Sequence, residues 1–270
     1  MASLPQDLSQ FEALVEIIAR LRAPGGCPWD REQTHASLKP YLLEESYEVL
    51  ETLDSGDSGK LCGELGDLLL QIVLHARIAT EAGEFKMGDI LTGINTKLIH
   101  RHPHVFGETK VDNAGQVAHN WQVLKQEERG ADSSMLASVP KQLPALSYSQ
   151  VIQRRVAEAG FDWPDITGVI DKLVEEVNEF KESTGEEKVG EFGDVLFTLV
   201  NIARRMGIDS EAALRQANEK FYRRFSAMEE FCRQRGLTFG QLTFDQQNAL
   251  WEEAKKMVGG EEKQNLGRTR

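Results

Sequence analysis

The 270-residue sequence predicts an all-α protein made of two copies of one helical-bundle domain. Three observations carry the prediction. Apolar residues recur at helical spacing along most of the chain. Alternating runs closed by hairpin turns are missing. Five short blocks of the first half return, in order, in the second.

Taken in order, a first helix is expected with Phe11, Leu14, Val15, Ile18 and Leu21 on one face and Ser9 as its cap. Pro24, Gly25, Gly26 and Pro28 of "APGGCPWD" then break the pattern. A second helix runs from Tyr41 to Leu53, "DSGDSG" turns the chain, and "GELGDLLLQIVLHARIATEAG" forms a third, largely apolar helix. "HRHPHVFG" brings His100, His102 and His104 together. It lacks the Glu of a helical H-E-x-x-H metal motif and has no counterpart in the second half, so it reads as a turn ending a helix. "DSSMLASVPKQLP" reads as a linker, after which the helical pattern restarts. The expected domains are 1–131 and 145–258, with a linker over 132–144 and a disordered polar tail over 259–270.

The internal matches are specific. "GCPW" answers to "GFDW", "LLEESYEVLE" to "LVEEVNEFKE", and "GELGDLLLQIVLHAR" to "GEFGDVLFTLVNIAR". "NTKLIHR" answers to "NEKFYRR" and "WQVLK" to "WEEAK". Many of the matched positions are charged or aromatic. The first copy carries Glu45, Glu48, Glu64, Asp67, Lys97, Arg101 and Trp121. The second carries Glu176, Glu179, Glu191, Asp194, Lys220, Arg224 and Trp251.

Composition excludes several function classes. A formal net charge of -12 argues against broad nucleic-acid binding, which calls for a basic surface. No apolar run reaches the roughly 18 residues of a membrane span. The first residues show no secretory pattern, and Cys27, Cys62 and Cys232 show no paired metal spacing, so a reduced cytoplasmic setting is expected. No phosphate-cradling P-loop motif is present.

The acidic pairs pose the chemical question. Glu191 and Asp194 sit three residues apart, hence on one face, inside an apolar run that should be buried. If each copy folds its two acidic helices antiparallel across a short turn, four carboxylates converge. Such a group must raise its proton affinity or bind cations, and hard oxygen ligands suit Mg²⁺ or Mn²⁺. Magnesium commonly brings a phosphate substrate. Lys220 and Arg224, at i and i+4, could clamp a polyphosphate, and Lys172 points to the same task. Trp251 could stack on a base or simply pack. The competing reading of each residue is a solvated helix face; duplication of the whole set favours function.

With these motifs the chain resembles the two-domain MazG-type nucleoside triphosphate pyrophosphohydrolases, whose E-x-x-E and E-x-x-D signature stands here twice. The blocks "GCPWDREQTHASLKPYLLEESYEVLE", "HRHPHVFG", "GFDW" and "ANEKFYRRF" extend the likeness from Phe11 to Met257. The resemblance implies an all-α NTP pyrophosphatase fold, a homodimer, and Mg²⁺-dependent cleavage of NTPs or dNTPs to NMP and pyrophosphate, serving nucleotide-pool house-cleaning. It directs catalysis and metal ligation to Glu176, Glu179, Glu191 and Asp194. Metal-assisted hydrolysis also calls for a general base, and Glu179 is the candidate. Glu45, Glu48, Glu64 and Asp67 form a second metal set. Lys172, Lys188, Lys220, Arg224 and Trp251 are the implied nucleotide- and phosphate-binding residues. The rival readings are a non-catalytic nucleotide-sensing or partner-binding helical protein, and a dUTPase-like enzyme sharing the chemistry.

Overall fold

The computed structural model describes residues 5–127 and 134–266. Among them every regular element is helical. The chain divides into two compact units, Met1–Gly130 and Ala131–Arg270.

The first unit opens with α1 (Phe11–Arg22), which buries Ala13 and Ile18. Its N-cap is Gln10, and Ser9 hydrogen-bonds Asp7 instead of capping the helix. The Asp7 carboxylate, two residues away, outcompetes the helix for the hydroxyl. Helix α2 (Pro28–Glu32) is a single turn with proline in its first positions, where no donor is lost. Gly26 precedes it because a β-carbon there would lie 2.2 Å from the Leu21 carbonyl oxygen. Arg22 fastens this corner, binding Glu81 at 2.8 Å and the carbonyls of Asp30 and Gln33.

Helices α3 (Lys39–Ser55) and α4 (Ser58–Ala82) form a hairpin. Gly56 in the left-handed conformation ends α3, and Asp57 caps α4 by accepting from the amides of Gly59 and Lys60. The core beneath it joins Ile18, Leu38, Val73 and Leu74. Helices α5 (Met87–Arg101), α6 (Pro103–Phe106) and α7 (Ala114–Glu127) complete the unit. The three-histidine segment lies across the α5–α6 junction, and His102 caps α5 through its backbone.

The second unit repeats the order. Its elements are α8 (Ala145–Glu158), α9 (Ile166–Glu182), α10 (Glu187–Arg205), α11 (Ser210–Arg235) and, after a 3-10 turn at Phe239–Gln241, α12 (Phe244–Leu266). Asp165 caps α9 as Asp57 caps α4. Helices α9 and α10 pack as the second hairpin, with Phe180 and Phe192 in contact at 5.5 Å. Helices α11 and α12 enclose Ala227, Met228, Cys232, Leu250 and Ala254.

Two expectations are corrected. The stretch from 259 is helical to Leu266, and only 267–270 of the expected tail lie outside the described residues. A helix already formed extends cheaply through Glu, Lys and Gln. The expected linker also departs from a free tether. From Ser134 on it folds against its own unit, with Val139 buried and Arg155 of α8 bonding the Met135 carbonyl and Ser138 hydroxyl.

The apolar run around Glu191 is the third surprise. It was expected to be core, yet α10 buries only Thr198, Val200 and Asn201. Val189, Phe192, Leu196 and Leu199 are exposed, as are Val174 and Val177 of α9.

Candidate metal and phosphate site

Each hairpin brings acidic residues from its two helices together. In the second unit, Glu176 of α9 and Glu191 and Asp194 of α10 place one carboxylate oxygen each within 4.8 Å of the others. In the first unit the corresponding set is Glu45, Glu48 and Glu64. Three of the four expected carboxylates therefore converge in each copy. The fourth stands alongside: Asp67 acts on Glu45, and Glu179 lies close enough to feel Glu176 and Glu191.

Burial separates the members. Glu176 is only 6% exposed, Glu191 is partly buried and Asp194 is exposed. What neutralises Glu176 inside the protein is Lys172, one turn earlier on α9. Its Nζ lies 2.8 Å from Glu176 and 2.7 Å from Glu175. The hydrogen bonds to Glu175 and Glu176 hold the lysine's proton affinity well above its ordinary value. Lys172 thus sits inside the cluster that sequence reasoning placed beside it.

The first unit solves the same problem differently. At the positions of Lys172 and Lys188 the repeat has Tyr41 and Leu61. Without those cations, burial and then the neighbouring carboxylates Asp67, Glu44 and Glu64 raise the proton affinity of Glu45. Glu48 is raised by burial and then by Glu64 and Glu45. Gln71 donates to Glu45 and moderates the effect. Sequence reading missed Gln71; its signal was a lone amide within "LLLQIVL", one turn beyond Asp67 on the acidic face.

The remaining expected binding residues lie farther along. Lys188 sits 5.4 Å from the centre of the Phe180 ring, one turn before Glu191. Arg224 of α11 approaches the ring of Trp251 of α12 to 5.8 Å, and Phe221 meets the same ring at 5.3 Å. The first unit repeats the pair, with Arg101 5.0 Å from the centre of Trp121. Trp251 packs against the α11–α12 core, so packing is part of its role. Arg224 keeps a buried Nε without a hydrogen-bond partner. Lys220 is exposed. No hydrogen bond, ion pair or ring contact among the described residues joins Lys220, Arg224 or Trp251 to the carboxylates.

The donor chemistry fits a hard divalent cation. The converging ligands are all carboxylate oxygens, the favoured set for Mg²⁺ or Mn²⁺. Burial first, and then the neighbouring carboxylates, raise the proton affinities of Glu45, Glu48 and Glu179, and a bound cation would offset both.

Comparison with known proteins gives a consistent picture. A family model described as the MazG nucleotide pyrophosphohydrolase domain matches residues 33–106, the stretch that contains α3 to α5. The chain is 45% identical over 254 residues to the nucleoside triphosphate pyrophosphohydrolase/pyrophosphatase MazG of Thermotoga maritima, covering 93% of this chain and 97% of that one. It is 43% identical over 258 residues to the nucleoside triphosphate pyrophosphohydrolase of Escherichia coli K12, covering 92% and 98%. It is also 44% identical over 253 residues to the uncharacterized protein YabN of Bacillus subtilis, covering 92% of this chain and 52% of that one.

Proposed function

The chain belongs to the MazG nucleotide pyrophosphohydrolase family, and on that basis we propose that it hydrolyses nucleoside triphosphates at the α-phosphorus to NMP and pyrophosphate. The observation that carries the reading is the α9–α10 hairpin, where Glu176, Glu191 and Asp194 converge beside Lys172, with Lys188 one turn before Glu191 on α10. Glu176, Glu179, Glu191 and Asp194 would hold Mg²⁺. When bound, the ion supplies a polarised water and charge neutralisation at the phosphates.

The chain's own groups do the rest. Glu179 takes the proton of the attacking water. Burial raises its proton affinity, Lys172 pulls it back, and Glu176, Glu175 and Glu191 raise it further, which suits a base. Lys172 and Lys188 stabilise charge on the phosphates, and Lys220 and Arg224 bind the departing pyrophosphate. Trp251 lines the nucleotide pocket. Turnover is assigned to the second unit, because Tyr41 and Leu61 replace its two lysines in the first. The same replacement leaves the first unit without the fixed cations that a triphosphate needs.

The exposed apolar face of α9 and α10, and the like face of α3 and α4 with Leu43, Leu53 and Leu65, support a homodimer. The three free cysteines support a reducing cytoplasmic setting.

A panel of NTPs and dNTPs incubated with Mg²⁺, with the products separated, tests the proposal. Monophosphate plus pyrophosphate is expected, and diphosphate plus phosphate would reject attack at the α-phosphorus. Glu191→Ala and Asp194→Ala should abolish turnover with helicity retained, whereas Glu64→Ala with Asp67→Ala should not. Full activity in the first two variants would overturn the site assignment.

A further inference from the structure

His35 and His75 meet in the first unit, away from the carboxylates. Their Nδ1 atoms are 2.7 Å apart, the ring planes lie 2° from parallel and the centroids are 5.0 Å apart. The centroids are nearly twice as far apart as the nitrogens, so the rings meet by their edges rather than by their faces. One Nδ1–H points along the lone pair of the other.

Such a bond needs one Nδ1 protonated and the other bare. His75 lies on α4 between Leu74 and Ala76, both within the core, and its Nε2 is buried without a partner. His35 lies on the segment between α2 and α3, and its Nε2 is 3.9 Å from the Glu84 carboxylate. Glu84 assigns the roles once the pair holds one added proton. His35 then carries it, with Nε2–H toward Glu84 and Nδ1–H donated to His75, which accepts and stays neutral. A further proton has to go to Nδ1 of His75, which sets two N–H donors against each other and two positive charges in contact.

We propose that the His35–His75 pair is an acid-sensitive latch, and that its double protonation frees residues 33–38 from α4 and loosens the start of α3. The segment ends at Leu38, fully buried at the N-cap of the helix that carries Glu45 and Glu48. Charges on the surrounding elements are engaged elsewhere. Arg22 of α1 and Arg77 of α4 both hold Glu81, and Asp89 of α5 accepts from the Lys86 amide. Lys39 at the start of α3 is exposed, and Arg31 and Glu32 of α2 are exposed too. His35 is the charge that acts on His75, and Glu84 is the acid that faces the pair.

Burial, and then His35, lower the proton affinity of His75 below the ordinary 6.5. A freed His75 binds its proton more readily than a latched one. The latch is therefore at full strength above the ordinary value and weakens as pH falls toward the depressed one. Arg22, bound to the Gln33 carbonyl, keeps its hold, so acid loosens the segment without unfolding the unit. The second unit has Ile202 at the position of His75 and serves as an internal control.

Long-range imidazole NMR of the full chain, from about pH 8 to about pH 5, tests the inference. His75 should show a bare Nδ1 and take up its proton only below the ordinary 6.5. Hydrogen-exchange protection of residues 35–42, corrected for intrinsic rates, should fall about tenfold over that range. Residues 166–173 should not change. His75→Ile should remove the pH dependence; if that variant does not fold, the wild-type titration alone decides. Two rings titrating independently at ordinary values would overturn the latch, as would the same pH dependence in His75→Ile.

Discussion

Replacing Lys172 with methionine keeps the unbranched stem, one atom shorter, and removes the charge that holds Glu176. The Glu176 side chain is 8% exposed, Lys172 is 33% exposed and Glu175 is 57% exposed. The substitution leaves a nearly buried carboxylate beside Glu191 and Asp194, all within 4.8 Å. Breaking a fully buried pair by removing one partner costs about 3–5 kcal/mol. Solvent reaches a third of the lysine, so screening reduces the Glu176 contribution, and the exposed Glu175 arm adds less than about 1 kcal/mol. A cost of about 2 kcal/mol follows, which for a unit of this size lowers its melting temperature by about 6–8 °C. Thermal melts of wild type and Lys172→Met in chelator read this difference directly. Magnesium titrated into both should then stabilise the variant more, because the ion no longer competes with the lysine for Glu176. Equal melting temperatures in chelator, or equal stabilisation of both proteins by magnesium, would refute the electrostatic account of the cluster.

Two further outcomes are expected. Asp162 binds Arg204 at 2.7 Å and Arg205 at 3.0 Å, tying the "GFDW" loop to the end of α10. Burial would raise its proton affinity, but the Arg204 hydrogen bond and the two guanidinium charges hold it below 3.8. Its contribution is therefore complete above that value and is lost as pH falls through the lower folded value. Asp162→Asn should cost about 1–3 kcal/mol near neutrality. The gap from wild type in urea unfolding should close in strong acid, and an equal gap at both pH values would contradict the assignment. Leu38→Ala empties a fully buried position in the first core and should cost about 3 kcal/mol by the same measurement. A loss under about 1 kcal/mol would mean the α3 start is not anchored there.

The helices and their duplication were legible because they rest on local signals. Helical spacing, the breaks at Pro24 to Pro28 and at "DSGDSG", and the repeated acidic blocks are all written in neighbouring residues. The convergence of α3 with α4 and of α9 with α10 followed from short loops, since a short connection forces antiparallel neighbours. Spacing could not show which carboxylate of each four stands aside. That depends on the rotation of one helix against the other, and Asp67 stands aside in one copy and Glu179 in the other. Exposure of the apolar run around Glu191 was equally hidden, because periodicity marks a face that seeks burial without naming what covers it. The contact of His35 with His75 joins residues forty positions apart, and no local pattern announces it.

The electrostatics of the two copies set their capacities apart. A nucleoside triphosphate brings several negative charges to a cluster that is already negative, so productive binding needs fixed cations as well as a metal. The second unit has Lys172 within the cluster and Lys188 a turn before Glu191. In the first unit Lys60 comes nearest, but it stands one position away from the register of Lys188, about 100° around the helix axis. Tyr41, in place of Lys172, offers a hydroxyl and no charge. Retaining Glu45, Glu48 and Glu64 in contact therefore destabilises the first unit until a proton or a cation arrives. The carboxylates alone specify a place for a cation. The lysines beside them in the second unit make that place fit for a polyphosphate.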